Sequence, residues 1–348
     1  MATIKDIAKQ AGVSFTTVSN VIHGNTKKVS PATIEKVEKL MKEMNYVPNM
    51  GARMLVRSCS KIIGVIASDM TEPLKEGIQS PFMAEILGTM EREIRTAGYY
   101  MMLCFSDSAE EIEKLTSTWN VDGVITVSLG TVLSRRLAKK VHVPAVYTDC
   151  YFDAREPYIN VGTEDEKGAR DITEYLLGLG HRKLLFISDV ENPSDPQTCC
   201  DVGRKREEGF LNAMKDAGLG DCSGRILRCA NKREEKELLF EKIIARKGKD
   251  TALVFCNDYF AIEGIDYLRH KGIHVPKDFS VTGFDDINMA GLISPRLTTV
   301  HQGVSQKGRL AVKHLLALIE NKPLPGEIQR LPVNIVIRES AQKIQEKV

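Results

Sequence analysis

Along the first fifty residues, apolar positions recur at three- and four-residue spacing in three short runs. Ile4, Ile7 and Ala8 form the first; Thr3 is placed to cap a helix there and Gly12 to end it. Val18, Val21 and Ile22 form the second, opened by Ser14 and stopped at Gly24-Asn25. Ile34, Val37, Leu40, Met41 and Met44 form the third. It opens at Ser30-Pro31, with proline at the first helical position, and closes at Tyr46-Val47-Pro48-Asn49. Residues 49–61 differ. Met50, Ala52, Met54, Leu55 and Val56 predict one or two helical turns, too few to be stable alone, before the linker Arg57-Ser58-Cys59-Ser60.

From residue 62 the pattern changes to short apolar runs alternating with amphipathic stretches. The runs at 62–67, 100–104, 123–127, 145–148, 184–187, 252–256 and 280–283 predict strands. The stretches near 83–97, 109–118, 131–141, 165–179, 204–217, 233–247, 259–271 and 304–320 predict helices. The segment Leu331–Arg338 alternates like a closing strand. Strand–helix alternation implies parallel sheets covered by helices on both faces. About 280 residues is too much for one such open sheet by the usual domain size. The expected fold is therefore an all-α helix-turn-helix head plus an α/β body of two doubly wound parallel-sheet subdomains, with a cleft between their strand ends. The expected divisions are 1–48 for the head, 49–61 for a hinge helix and linker, 62–340 for the body and 341–348 for a tail. Within the body, one subdomain takes 62–163 plus 296–323 and the other 164–295 plus 324–340.

Charge adds an asymmetry that the overall net of +2 conceals. Residues 1–61 carry ten Lys and Arg against four Asp and Glu, a net of +6, so the remainder carries −4. A basic head on a mildly acidic body places any polyanion at the head. No run of eighteen apolar residues occurs, and Met1-Ala2-Thr3-Ile4-Lys5-Asp6 lacks the basic-then-apolar character of a secretory signal. The expectation is a cytoplasmic protein whose eight cysteines, Cys199-Cys200 included, are reduced thiols. The Gly-x-x-x-x-Gly-Lys-Ser/Thr, Gly-x-Ser-x-Gly and His-Glu-x-x-His motifs are all absent. Neither an enzyme nor a bound cofactor or metal is expected.

In the head, turning Val18, Val21 and Ile22 inward leaves Phe15, Thr16, Ser19 and Asn20 facing out. Asparagine can pair bidentately with adenine, and threonine or phenylalanine can contact a thymine methyl. Ser14, Thr17 and the helix N-terminus near Thr3 suit phosphate oxygens. Thr3-Ile4-Lys5-Asp6-Ile7-Ala8-Lys9, then Ala11-Gly12-Val13-Ser14 and Thr17-Val18-Ser19-Asn20-Val21, resemble the head of the LacI/GalR repressor family. Tyr46-x-Pro48-Asn49-x-x-Ala52-Arg53-x-Leu55 resembles that family's hinge helix. The resemblance implies a periplasmic-binding-protein-like body and a homodimer on a pseudo-palindromic double-stranded operator, its hinge helices paired in the minor groove. Leu55 would be the wedge between base pairs, Ala52 would allow close approach, and Arg53 and Asn49 would lie against DNA.

The resemblance continues through Ile63-Gly64-Val65-Ile66, Val121-Asp122-Gly123, Leu179-Gly180-His181-Arg182-Lys183-Leu184, Cys256-Asn257-Asp258, Val281-x-Gly283-Phe284-Asp285-Asp286, Pro295-x-Leu297-Thr298-Thr299-Val300 and Arg338-Glu339-Ser340. Polar residues at the expected strand ends are Asp149, Asn257 and Asp285, with Arg206 where the family grips its ligand. Phe82, in Ser80-Pro81-Phe82, resembles the family's aromatic contact. These five are the expected effector-binding residues, with Asp258 capping the helix after Asn257. They offer acceptors, fork donors and a stacking ring, which suit a polar small molecule: a sugar or sugar derivative. A purine-like corepressor or a partner protein is the alternative. Loops 69–80 and 191–203 depart from the family pattern, and both border the cleft. The tail has no heptad helix, so a dimer and not a tail-made tetramer is expected.

Overall fold

A computed structural model describes residues 2–22, 25–46, 59–68, 80–153, 155–190, 201–230, 232–324, 326 and 328–344. The chain forms two compact units, Met1–Ser60 and Lys61–Val348. The hinge positions Asn49, Ala52, Arg53 and Leu55, most of the 69–80 loop and Cys199-Cys200 lie outside the described residues.

The first unit holds three helices: α1 (Ile4–Ala11), α2 (Phe15–Ile22) and α3 (Pro31–Glu43). Local chemistry starts each of them. Thr3 accepts from the Asp6 amide at 3.3 Å while Asp6 accepts from the Thr3 amide at 2.9 Å, a reciprocal capping box. Ser14 accepts from the Thr17 amide at 3.0 Å, and Ser30 from the Thr33 amide at 3.3 Å. Gly12 ends α1 with φ +67°, a left-handed conformation that costs a glycine little. Ile7, Ala8, Ala11, Val18, Val21 and Val37 pack into one small core, the apolar stripes read from the spacing.

The second unit contains two parallel sheets. The larger has six strands in the order β11-β5-β4-β3-β1-β2. They are β1 (Ile62–Ala67), β2 (Tyr100–Phe105), β3 (Gly123–Val127), β4 (Ala145–Thr148), β5 (Ile159–Thr163) and β11 (Ile328–Leu331). The smaller has the order β7-β6-β8-β9, built from β6 (Leu184–Ser188), β7 (Ile226–Arg228), β8 (Ala252–Phe255) and β9 (Ser280–Thr282). A third pair, β10 (Thr299–Gln302) with β12 (Val333–Val336), is antiparallel. Around the large sheet lie α4 (Pro81–Thr96), α5 (Ala109–Thr118), α6 (Thr131–Ala138) and α11 (Val304–Ile319). Around the small one lie α7 (Asp165–Gly178), α8 (Asp201–Asp216), α9 (Arg233–Ile244) and α10 (Asp258–His270). Both sheets carry strands buried along almost their full length, as parallel sheets covered on two faces require.

Two expectations are corrected. The segment Leu331–Arg338 is not one closing strand. Pro332, which has no backbone N–H to give a ladder, separates β11 from β12. β11 then pairs with β5, Ile328 opposite Asn160, so part of segment 324–340 belongs to the large sheet and not to the second subdomain. The apolar pattern also does not predict the short strands β5 and β7. Asn160 and Gly162 depress the strand propensity of β5, which tertiary pairing on both sides overrides.

Gly209 sets the distance between α7 and α8. A Cβ there would lie 2.1 Å from the Glu166 carbonyl oxygen, so only glycine allows the two backbones to touch. That contact fixes where α8 presents Arg206.

Candidate functional site

On the head, α2 turns Val18 and Val21 into the core and leaves Phe15 half exposed at 51%. Thr16 is exposed, and Ser19 and Asn20 are partly exposed beside it. The Ser14 and Thr17 hydroxyls lie 2.9 Å apart, which orders the start of this helix. The four outward positions therefore share one face of a short helix whose start is capped by Ser14. Thr3 is exposed at the N-terminus of α1, where its hydroxyl donates to Asp6 at 2.7 Å.

In the second unit, the polar residues expected at strand ends do converge. Asp149 follows β4, Asp285 follows β9, and Arg206 lies in the second turn of α8; all three are buried. They are joined by residues that pattern reading missed. Lys307, in the first turn of α11, donates to both Asp149 oxygens, at 2.6 and 2.8 Å. Its third bond, 2.8 Å, goes to Gln302 Oε1 at the end of β10. The Gln302 amide nitrogen donates to Asp285 Oδ1 at 2.6 Å, and the Thr163 hydroxyl donates to Gln302 Oε1 at 2.9 Å. Arg206 donates through Nη1 to the same Asp285 oxygen at 3.3 Å and through Nε to Asp165 Oδ1 at 3.0 Å. Its guanidinium carbon lies over the Phe284 ring, 3.6 Å from the centroid. Tyr151 closes the chain by donating its hydroxyl to Asp165 Oδ2 at 2.7 Å.

The result is one continuous polar line between the strand ends of the two parallel sheets, with Gln302 as the join. Its electrostatics follow from burial. Burial pushes the Asp285 carboxyl up to about 6, against the pull of Arg206, Gln302 and Lys307. Burial likewise raises the Asp149 carboxyl despite the Lys307 ammonium on it. Burial opposes the charge of Arg206, yet the Asp165 and Asp285 carboxylates more than offset it, and the guanidinium is held further up. Burial, then the Asp165 carboxylate, raises the Tyr151 phenol well above its ordinary value.

Phe82 lies in the first turn of α4, half-buried, with the Lys307 nitrogen 5.4 Å from its ring centroid. The expected roles of Asn257 and Asp258 are reversed in one respect. Asn257, and not Asp258, caps α10: its Oδ1 accepts from the Phe260 amide at 2.8 Å. Its amide nitrogen donates to Asp189 at 2.8 Å. Asp258 turns inward, bonding the Thr299 hydroxyl and the Ile287 amide. The reason is the extended backbone of Asn257, φ −151° and ψ 165°, which aims its side chain back over the first turn. Arg206 does not pair with Asp201 or Glu207 of its own helix. Asp201 instead accepts from the Thr131 amide at 2.8 Å, and Glu207 from Arg228 at 2.6 Å.

Lys307 left a trace in the sequence. Val304, Lys307, Gly308, Ala311 and Leu315 lie on the buried stripe of α11, so a lysine stood on an apolar face. Gln302 left none, being one polar residue at the end of a strand.

Comparison with known proteins gives the arrangement its context. Residues 3–49 match the family model described as bacterial regulatory proteins, lacI family, and residues 173–341 match a periplasmic binding protein-like domain. The HTH-type transcriptional repressor PurR of Photobacterium profundum is 31% identical over 351 residues, covering 99% of this chain and 100% of the relative. The chain belongs to the lacI family of bacterial regulatory proteins. It is a DNA-binding transcriptional repressor of the LacI type. Among solved structures, the lac repressor dimer bound to operator and the anti-inducer ONPF superposes with a TM-score of 0.82 at 25% identity, over 98% of this chain and 99% of that one. The complex of the transcriptional regulator CelR with cellobiose superposes with a TM-score of 0.70 at 26% identity, over 98% and 100%. As a lacI-family repressor, the chain combines the α2 face of the head with a two-sheet sensor, and its buried polar line sits where open α/β sheets place ligands. Among the described residues no helix is long and apolar enough to cross a membrane.

Proposed function

We propose that the protein is a homodimeric repressor whose hold on a pseudo-palindromic operator is modulated by a small polar effector bound between the two sheets. The observation that carries this reading is the polar line itself. Asp149, Lys307, Gln302, Asp285, Arg206 and Asp165 join strand ends of both sheets through hydrogen bonds of 2.6 to 3.3 Å. A molecule that inserts among them acts on both halves at once. It thereby changes the angle between the halves and the separation of the two heads. Effector and operator are then coupled reciprocally, typically by about 1–3 kcal/mol.

The α2 face reads one half-site: Phe15, Thr16, Ser19 and Asn20 meet base edges, while Thr3, Ser14 and Thr17 meet phosphates. Residues 49–61 serve as the hinge, with Leu55 as the minor-groove wedge and Asn49, Ala52 and Arg53 beside it. Phe82, Asp149, Arg206, Asn257 and Asp285 frame the effector. An uncharged ligand rich in hydroxyls, a sugar or sugar derivative, fits the donors and acceptors of this frame, and the likeness to the CelR–cellobiose complex supports it. A purine-like corepressor is the second reading, favoured by full-length similarity to a repressor named PurR.

The test is a thermal-shift panel of sugars, sugar phosphates, nucleosides and purines, followed by operator-binding anisotropy with each hit. A ligand at one hundred times its Kd stabilises the protein by about 2.7 kcal/mol. A sugar that raises the Tm and releases operator establishes the first reading. A purine that raises the Tm and tightens operator binding establishes the second. A panel without a hit removes both and points to a partner protein.

A further inference from the structure

We infer that Lys307 is the specificity-determining residue of the cleft. Its ammonium occupies the place where Asp149, Gln302 and Phe82 would otherwise hold a hydroxyl- or amine-bearing ligand. The inference deepens the effector-site reading and rests on it.

Lys307 is 1% exposed. An ammonium has three N–H donors, and all three are placed: two on Asp149, at 2.6 and 2.8 Å, and one on Gln302 at 2.8 Å. The Phe82 ring lies 5.4 Å away, within the range of an ammonium–aromatic attraction. Two carboxylate oxygens, an amide oxygen and a ring face are the groups that a cleft offers to an amino sugar or a polyol. Here a side chain of the protein already fills that role, and each Asp149 oxygen already accepts from Lys307 before an effector arrives.

The packing holds the lysine there. Gly308, the next residue, lies against α4: a Cβ on it would approach the Ile86 carbonyl oxygen to 3.3 Å. This close approach brings the first turns of α11 and α4 together and with them Lys307 and Phe82. Ligands that depend on Asp149 as an acceptor must compete with a tethered ammonium.

The test removes the tethered cation and offers a free one. Lys307→Ala leaves a channel lined by Asp149, Gln302 and Phe82. n-Butylammonium chloride is expected to restore at least half of the Tm that Lys307→Ala loses. Tetramethylammonium, which has no N–H to donate, is expected to restore none at equal ionic strength. Wild type and the double variant Lys307→Ala/Asp149→Asn are expected to show no shift with either salt. Glucosamine and the sugars of the panel are then expected to shift the Tm of Lys307→Ala at concentrations at least tenfold below those that shift wild type. Equal responses of wild type and Lys307→Ala to butylammonium, or an unchanged panel profile, overturn the inference.

Where Lys307→Ala does not fold, Lys307→Met/Asp149→Asn, which removes both charges and keeps most of the side-chain length, is compared with Asp149→Asn alone. An effector profile identical in those two variants overturns the inference, and a profile that differs between them supports it. Failure of the underlying site reading looks different. There, Asp285→Asn would leave the wild-type panel hit unchanged, whatever Lys307 does.

Discussion

Replacing Asp285 by asparagine is expected to stabilise the repressor at alkaline pH while removing its response to effector. In the folded protein the Asp285 carboxyl is pushed up to about 6, chiefly by burial. An unfolded aspartate titrates near 3.9, so folding raises this group by about two units. Each unit is worth roughly 1.4 kcal/mol, which makes the full linkage about 3 kcal/mol. The sign follows from a raised folded pKa. The contribution is fully present below about pH 4, where both states are protonated, and is lost as pH rises through 6. Above pH 7 the native state carries a buried charge that Arg206, 3.3 Å away, only partly compensates, because Asp165 lies closer to it at 2.9 Å.

The amide of asparagine resembles the protonated acid. Its oxygen can still accept from Gln302 and Arg206. The urea midpoints of wild type and Asp285→Asn, followed by the sensor transition at pH 4.5, 6 and 8, check the magnitude. The variant should gain up to about 3 kcal/mol over wild type at pH 8, and the gap should close toward pH 4.5. A gap independent of pH, or a wild type more stable at pH 8, refutes the reasoning.

Asn20→Ala should weaken binding to a specific operator by about one to three kcal/mol, the worth of one base contact, which is about five- to 150-fold in Kd. Its affinity for calf-thymus DNA should stay unchanged, and both are read by anisotropy at one salt concentration. Gly209→Ala forces a Cβ to within 2.1 Å of the Glu166 carbonyl oxygen, so α7 and α8 must part. The cost of such overpacking, about 1–3 kcal/mol, should appear as a lower urea midpoint. Asn257→Ala removes the cap of α10 and the donor to Asp189. It should lower stability by about 1 kcal/mol in the same assay.

Much of the architecture is legible in the chain because it rests on short-range signals. Thr3, Ser14 and Ser30 stand as caps at the starts of apolar-periodic runs, and each accepts the expected amide hydrogen bond. The head core of Ile7, Val18, Val21 and Val37 follows directly from three- and four-residue spacing. The strands at 62–67, 123–127 and 145–148 stand at the bounds their apolar runs predict. Strand ends and family resemblance single out Asp149, Arg206 and Asp285. The fold brings Arg206 to Asp285 directly and Asp149 to it through Lys307 and Gln302.

Most of the element order, the caps of the three head helices, the division into a basic head and an α/β sensor, and membership of a repressor family can thus be read along the chain. Each is a matter of residues within about one turn or one strand of each other. The partners are assigned only when the chain folds. Lys307 meets Asp149 across 158 residues, Thr163 meets Gln302 across 139 and Arg206 meets Asp285 across 79. Folding also selects Asn257 over Asp258 as the cap of α10 and sends β11 across to the large sheet. The physical reason is that spacing records which face of an element is apolar. It carries no record of which distant element will cover that face, and a buried charge is settled only by the partner that arrives there.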